Sequence, residues 1–285
     1  MPINPSQSVH KGMLQFLKGI NLNLQKEWYK DMTYNQLDKL FYQAMKVETK
    51  KRKIKLSAEG DIYKKVDPYF FRVFHCIEKM TDGKLGITLD ISVKYHRYDE
   101  LQYSILNPGN PVRFTDKIRA NSGAKCHVAF PRFVQYFNYD GTEEMLPNLC
   151  EELLDFLEKY YTDFLAMVEK EYGDLGNYYI ANREKYLRVA GLACLDKGDF
   201  KGAIACFSHP NMDGQNQIWS VRIETDEQRH RAEASGMKIS CTSYGESIHR
   251  NRKDQFIDYA VALQNGLEWN DERAMYGLLP EERGQ

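Results

Sequence analysis

From Leu85 to His96 apolar and polar residues alternate without a break: Leu85, Ile87, Leu89, Ile91, Val93 and Tyr95 against Gly86, Thr88, Asp90, Ser92, Lys94 and His96. A repeat of two sends successive side chains to opposite faces of a strand, so the stretch predicts one buried face and one face open to water or to a binding surface. Upstream, Tyr69 to Lys79 is rich in aromatic and β-branched residues, and Arg72 and Glu78 mark its even positions as polar, which leaves Phe71, Val73 and Ile77 for the core. Pairing the two core faces, Ile77 opposite Ile87 and Val73 opposite Ile91, requires the three-residue loop Thr81-Asp82-Gly83 closing on Met80 and Lys84, with Gly83 left-handed. A two-residue Asp82-Gly83 turn would set Ile77 against Thr88 and mismatch the faces.

An apolar sheet face needs a cover. Thr33 is a suitable N-cap for a helix whose residues Tyr34, Leu37, Leu40, Phe41, Ala44 and Met45 recur at helical spacing. Leu146, Cys150, Leu153, Leu157, Tyr160, Phe164 and Met167 do the same along a helix reaching about Tyr172. Further strands are predicted at Ile62 to Val66, turned by Asp67-Pro68, and at Leu101, Tyr103 and Ile105, stopped by Asn107-Pro108-Gly109-Asn110-Pro111. Cys126, Val128 and Phe130 also alternate, and Arg132 to Tyr139 reads as one more strand or a packed loop. Residues 1–172 are thus expected to form an α+β domain, an antiparallel β-meander with helices on one face. At its start, residues 1–12 read as an arm and Met13 to Trp28 as a modest helix.

Residues 173–285 are expected to be a mainly α-helical domain. Leu187, Ala190, Gly191, Cys194, Ala203 and Phe207 fall at tetratricopeptide (TPR) spacings around the turn Lys197-Gly198-Asp199-Phe200, giving one TPR-like hairpin over 183–207. A single repeat cannot bury its own face, so this hairpin must dock elsewhere. Helices are also predicted at Asp226 to Ala234 and at Arg252 to Leu267, the latter with Phe256, Tyr259, Ala260, Leu263 and Leu267 on one face. Met237 to Tyr244 is polar and fits no clear element.

Several function classes are disfavoured by composition. The 39 basic and 40 acidic residues nearly cancel, leaving no global field for nucleic acid or anionic lipid. No apolar run is long enough to span a membrane, and Met1 to Lys11 lacks the pattern of a signal peptide. The six cysteines, none in a Cys-x-x-Cys spacing, read as buried reduced thiols of a cytoplasmic protein. His75-Cys76 and Cys126-His127 are adjacent pairs whose side chains diverge in a strand, so no metal site is expected. Phosphate loop, Gly-x-Gly-x-x-Gly and nucleophile elbow are all missing, hence no cofactor and no catalytic residue is assigned.

What remains are candidate surfaces. Arg72, His75, Asp90 and His127 are polar groups on predicted strands that a ligand or partner would meet. Lys50, Lys51, Arg52, Lys53 and Lys55, with Arg250, Arg252 and Lys253, form a candidate basic patch; no aromatic interleaves the first run, which reads against nucleic acid. Helix, basic link, Gly60-Asp61-Ile62-Tyr63-Lys64-Lys65, aromatic strand, the Leu85 to Val93 strand and a late helix follow in an order that resembles a family of uncharacterised bacterial domains. Some relatives of that family are held to be immunity proteins. The resemblance spans about 33–167 and implies an α+β core, a bacterial or phage origin and no catalytic residue. With 19 tyrosines suited to interfaces, the leading expectation is a non-enzymatic interaction module with a protein partner, immunity- or antitoxin-like. The alternatives are an enzyme or small-ligand-binding protein with a cleft between sheet and helical domains, and a nucleic-acid-binding protein.

Overall fold

The computed structural model describes residues 33–58, 60–79, 85–109, 126–127, 133–137, 145–212, 218–243 and 245–284. The expected arm, the Met13 to Trp28 helix and the Thr81-Asp82-Gly83 loop lie outside them. By its internal contacts the chain forms two compact units, the first holding the described residues of 1–62, 73–90 and 130–157, the second those of 63–72, 91–129 and 158–285.

Helix α1 (Tyr34–Lys51) starts at a capping box, in which the Thr33 hydroxyl accepts from the Gln36 amide while the Gln36 side chain accepts from the Thr33 amide. Its residues Leu37, Phe41 and Met45, one turn apart, are all buried. Lys50 and Lys51 end it, where cations suit the helix dipole. Short strands β1 (Lys55–Leu56) and β2 (Ile62–Val66) lead to β3 (Tyr69–Lys79) and β4 (Leu85–Tyr95), which neighbour one another in the order β1-β2-β3-β4. Strands β5 (Cys126–His127) and β6 (Phe133–Phe137) both pair antiparallel with β4, with Ser92 opposite His127 and Ile87 opposite Gln135. The first unit closes on the start of α3 (Met145–Tyr172), where Leu146, Cys150, Leu153, Leu154 and Leu157 are buried. Arg52 ties α1 to that segment through Asp155 at 2.5 Å and Glu151 at 3.7 Å.

The alternation is observed in the burial of Phe71, Val73 and His75 on β3, and of Ile87, Leu89, Ile91 and Val93 on β4. Its complement is not uniformly wet. Asp90 is exposed and Thr88 half-buried, but Ser92 and Lys94 are only 6 % and 1 % exposed. The Ser92 hydroxyl donates to the Arg72 carbonyl at 3.2 Å, and Lys94 lies 3.3 Å from Asp99, which is equally buried. The expectation that all four face water therefore fails for the half of β4 in the second unit, where the sheet is covered on both faces. Polar residues are tolerated there because each finds a partner.

A second correction concerns His96 to Leu106, which is helix α2 and not a strand. Leu101, Tyr103 and Ile105 do alternate, but Tyr98, Leu101 and Ile105 also recur at helical spacing, and it is Tyr98 and Ile105 that are buried. Over so few residues the two periods coincide.

After α3 the second unit continues with α4 (Leu175–Ala181) and a helical hairpin of α5 (Leu187–Asp196) and α6 (Phe200–Ser208). Gly191 is needed at their crossing, because a β-carbon there would lie 2.3 Å from the Phe207 ring. The tetratricopeptide likeness of this hairpin rests on the spacing alone. Strand β7 (Ile218–Ile223), helix α7 (Asp226–Ala234), strands β8 (Ile239–Thr242) and β9 (Gly245–Asn251), and helices α8 (Arg252–Gln264) and α9 (Asp271–Tyr276) follow. Helices α7 and α8 match expectation, but the sheet β7-β9-β8 adds three strands to a region expected to be mainly helical. Strand β9 carries the sequence Gly-Glu-Ser-Ile-His-Arg-Asn, with Ile248 its one apolar residue, so no alternation announces it. Ile248 packs with Ile223, Ala232 and Tyr276.

Cys76, Cys150, Cys194, Cys206 and Cys241 are free; Cys150, Cys194 and Cys206 are buried, whereas Cys76 and Cys241 are exposed, contrary to the expectation of buried thiols throughout. Burial, helped by nearby Glu48, pushes the Cys150 thiol up to about 12, which makes it unreactive. Among the described residues no helix is long and apolar enough to cross a membrane.

Candidate functional site

The four polar strand residues divide between the units: His75 and Asp90 fall in the first, Arg72 and His127 in the second. Within the first unit His75 shares the buried odd face of β3, while Asp90 is an exposed even residue of β4. One of the four, His75, is part of a cleft.

That cleft, of about 290 Å³, lies wholly within the first unit and is lined by Asn35, Asp38, Lys39, Tyr42, Ala58, Gly60 and His75. Its wall on α1 follows from helical geometry, because residues at i, i+3, i+4 and i+7 share a face. Asn35, Asp38, Lys39 and Tyr42 make that stripe, beside the buried stripe of Leu37, Phe41 and Met45. Ala58 and Gly60, from the chain between β1 and β2, line it too. Gly60 has φ +87°, a left-handed conformation that disfavours a side chain, and a β-carbon there would come within 3.2 Å of His75 Cε1. Gly60 thus approaches the imidazole with bare backbone.

His75 is only 8 % exposed, and its ring stacks at a tilt on Phe41 with centroids 4.8 Å apart. Its Nδ1 is buried without a hydrogen-bond partner among the described residues. Burial pulls the imidazole below its ordinary pKa, and the carboxylates of Asp38 and Asp61 push it part of the way back. The ring is therefore neutral at pH 7, with one nitrogen able to donate and the other to accept. Asn35, Asp38, Lys39 and Tyr42 likewise make no hydrogen bond or ion pair among the described residues. Polar groups of every kind, amide, carboxylate, ammonium, phenol and imidazole, surround the space, and the fold uses none of them in such a bond.

The residues of the candidate basic patch belong to both units. Arg52 is bound to α3 as described, and Lys51 pairs with Glu48 at 2.7 Å. Lys50, Lys53 and Lys55 are exposed. In the second unit Arg250 is 1 % exposed, so it belongs to the interior and not to a surface. Its guanidinium donates to Asp258 at 2.6 Å and to the carbonyls of Arg273 and Ala274, both at 2.6 Å. Arg283 reaches the other Asp258 oxygen at 3.2 Å. Burial lowers Arg250 to about 10 and raises Asp258, and their mutual attraction opposes both shifts. Beside them Glu282 accepts from Arg231 at 3.2 Å, from Arg273 at 2.8 Å and from the Leu279 amide at 2.7 Å. Lys253 holds the end of α6 through the carbonyls of Ser208 and His209, and Arg252 is exposed. These charges fasten the C-terminal helices together.

Among the described residues no group of three or more His, Cys, Asp or Glu is arranged to hold a metal ion. Reading for core residues passes over Asn35, Asp38, Lys39 and Tyr42, yet the signal is present as a polar stripe at helical spacing flanking Leu37, Phe41 and Met45. Comparison with protein-family models, curated proteins and solved structures finds no match.

Proposed function

We propose that the first unit binds a small polar ligand in the cleft at His75. The observation that supports this most is a buried, neutral imidazole with a partnerless nitrogen, lining a cleft whose remaining polar side chains are equally unengaged. Buried polar groups in folded proteins nearly always have partners, and a partnerless imidazole nitrogen that lines a cleft leaves a hydrogen bond for a ligand to make. This reading belongs to the ligand-binding alternative, with the cleft inside one unit, between α1, the β1–β2 link and β3. The interaction-module reading has less behind it. Tyr34, Val47 and Phe74 are exposed apolar residues of the first unit, but single exposed apolar side chains are ordinary.

Imidazole resonances offer a direct test. With histidine labelled at Cε1 and His75 assigned through His75→Gln, mixtures of small acids, amines, amino acids and sugars are added to the full chain. A saturable shift at His75, without equal shifts at the other histidines, is the expected result. A His75 signal that no mixture moves contradicts the proposal.

A further inference from the structure

We infer that the ligand of this cleft is a zwitterion, a free amino acid or a compound with ammonium and carboxylate groups a few bonds apart, recognised by Asp38 and Lys39 side by side on α1. The inference rests on the cleft being a binding site and names what it takes.

Charge balance carries it. Asp38 and Lys39 are consecutive residues that both line the cleft, and neither has an ion-pair partner among the described residues. A ligand bearing only negative charge would neutralise Lys39 and face the Asp38 carboxylate, with that of Asp61 close to His75. A ligand bearing only positive charge would satisfy Asp38 and confront Lys39. Opposite charges on one ligand satisfy both, and like-charge juxtaposition is what excludes the other two classes.

Size points the same way. At about 290 Å³ the cleft sits at the lower bound of ligand pockets, roughly 300 Å³, which suits a molecule of amino-acid dimensions. Gly60 has no side chain, and its backbone comes close to the imidazole. Asn35 and Tyr42, one turn before and after the charged pair, supply an amide for hydrogen bonding and a ring for the ligand's remaining atoms. His75 donates or accepts from β3.

Calorimetric titration of the full chain with amino acids, with amine-only analogues such as ethylamine and putrescine, with carboxylate-only analogues such as propionate and succinate, and with glycerol separates the classes. At least one amino acid is expected to bind about tenfold or more tighter than both of its single-charge analogues. Asp38→Asn and Lys39→Gln are each expected to weaken it by a similar factor while leaving the melting curve in place. Equal or tighter binding of an amine-only, carboxylate-only or neutral compound overturns the inference and leaves the cleft a binding site. Failure of every class to bind, with the His75 resonance unmoved, overturns the proposed function too.

Discussion

Around His75 five polar side chains, Asn35, Asp38, Lys39, Tyr42 and His75 itself, make no hydrogen bond or ion pair among the described residues. Around Arg250 the situation is reversed: Asp258, Arg283, Arg231, Arg273 and Glu282 all have charged partners within 3.2 Å. Both regions mix acidic and basic side chains, so composition does not tell them apart. What differs is whether the fold has used the groups already. Where it has, they hold elements in register, and removing one strands its partner. Where it has not, the same chemistry is available to something else.

Substitutions sharpen this contrast by size of effect. Arg250→Ala should be the most damaging, costing about 3–5 kcal/mol, because it leaves Asp258 buried with its charge poorly compensated. A denaturant melt read by the signal of the second unit checks it, since two units need not unfold together. Lys94→Ala belongs to the same class and should cost roughly 3 kcal/mol, because the buried Asp99 carboxylate loses its ammonium counter-charge, whereas an exposed strand lysine would cost well under about 1 kcal/mol. A melt indistinguishable from wild type would show that the polar face of β4 is open to water along its whole length. At the cleft, Gly60→Ala should cost about 1–2 kcal/mol from the left-handed backbone, and should also displace the His75 ring, visible as a shift of its Cε1 resonance.

Acid supplies a smaller, directional effect. The folded pKa of His75 lies below the unfolded value near 6.5, so the folded state disfavours protonating it. Its contribution to stability is fully present above pH 6.5 and is lost as pH falls through the folded pKa. His75→Phe should flatten the stability profile in that window and leave it unchanged above. A variant whose profile runs parallel to wild type from pH 7 downward would mean that His75 titrates as an ordinary exposed histidine.

How much of this was legible in the sequence depended on the length over which a period was sustained. The strand Leu85–Tyr95 repeats often enough that its buried face, Ile87, Leu89, Ile91 and Val93, is unambiguous, and α1 and α3 are equally clear from their apolar stripes. Five residues of alternation at Leu101 to Ile105 were too few to choose between strand and helix. Strand β9 shows no apolar alternation because its two buried side chains are Ile248 and Arg250, one of them charged, and it pairs with both β7 and β8. Charge was misleading in the same way at Lys94 and Arg250. A sequence displays the charge of a residue but not the partner that allows it to be buried. His75 was identifiable as a polar residue of a strand, but its companions come from α1, and only the folded chain shows that their stripe faces it.

The central claim, that the cleft's charges are idle in folding, is tested most directly by the double variant Asp38→Ala, Lys39→Ala. Both are exposed, so its unfolding free energy in a denaturant melt should stay within about 0.5 kcal/mol per site of wild type. In the same sample the ligand-dependent shift of the His75 resonance should disappear. A loss of roughly 2 kcal/mol or more would contradict the account, since it would place Asp38 and Lys39 with Arg250 and Asp258 among the charges that hold the protein together.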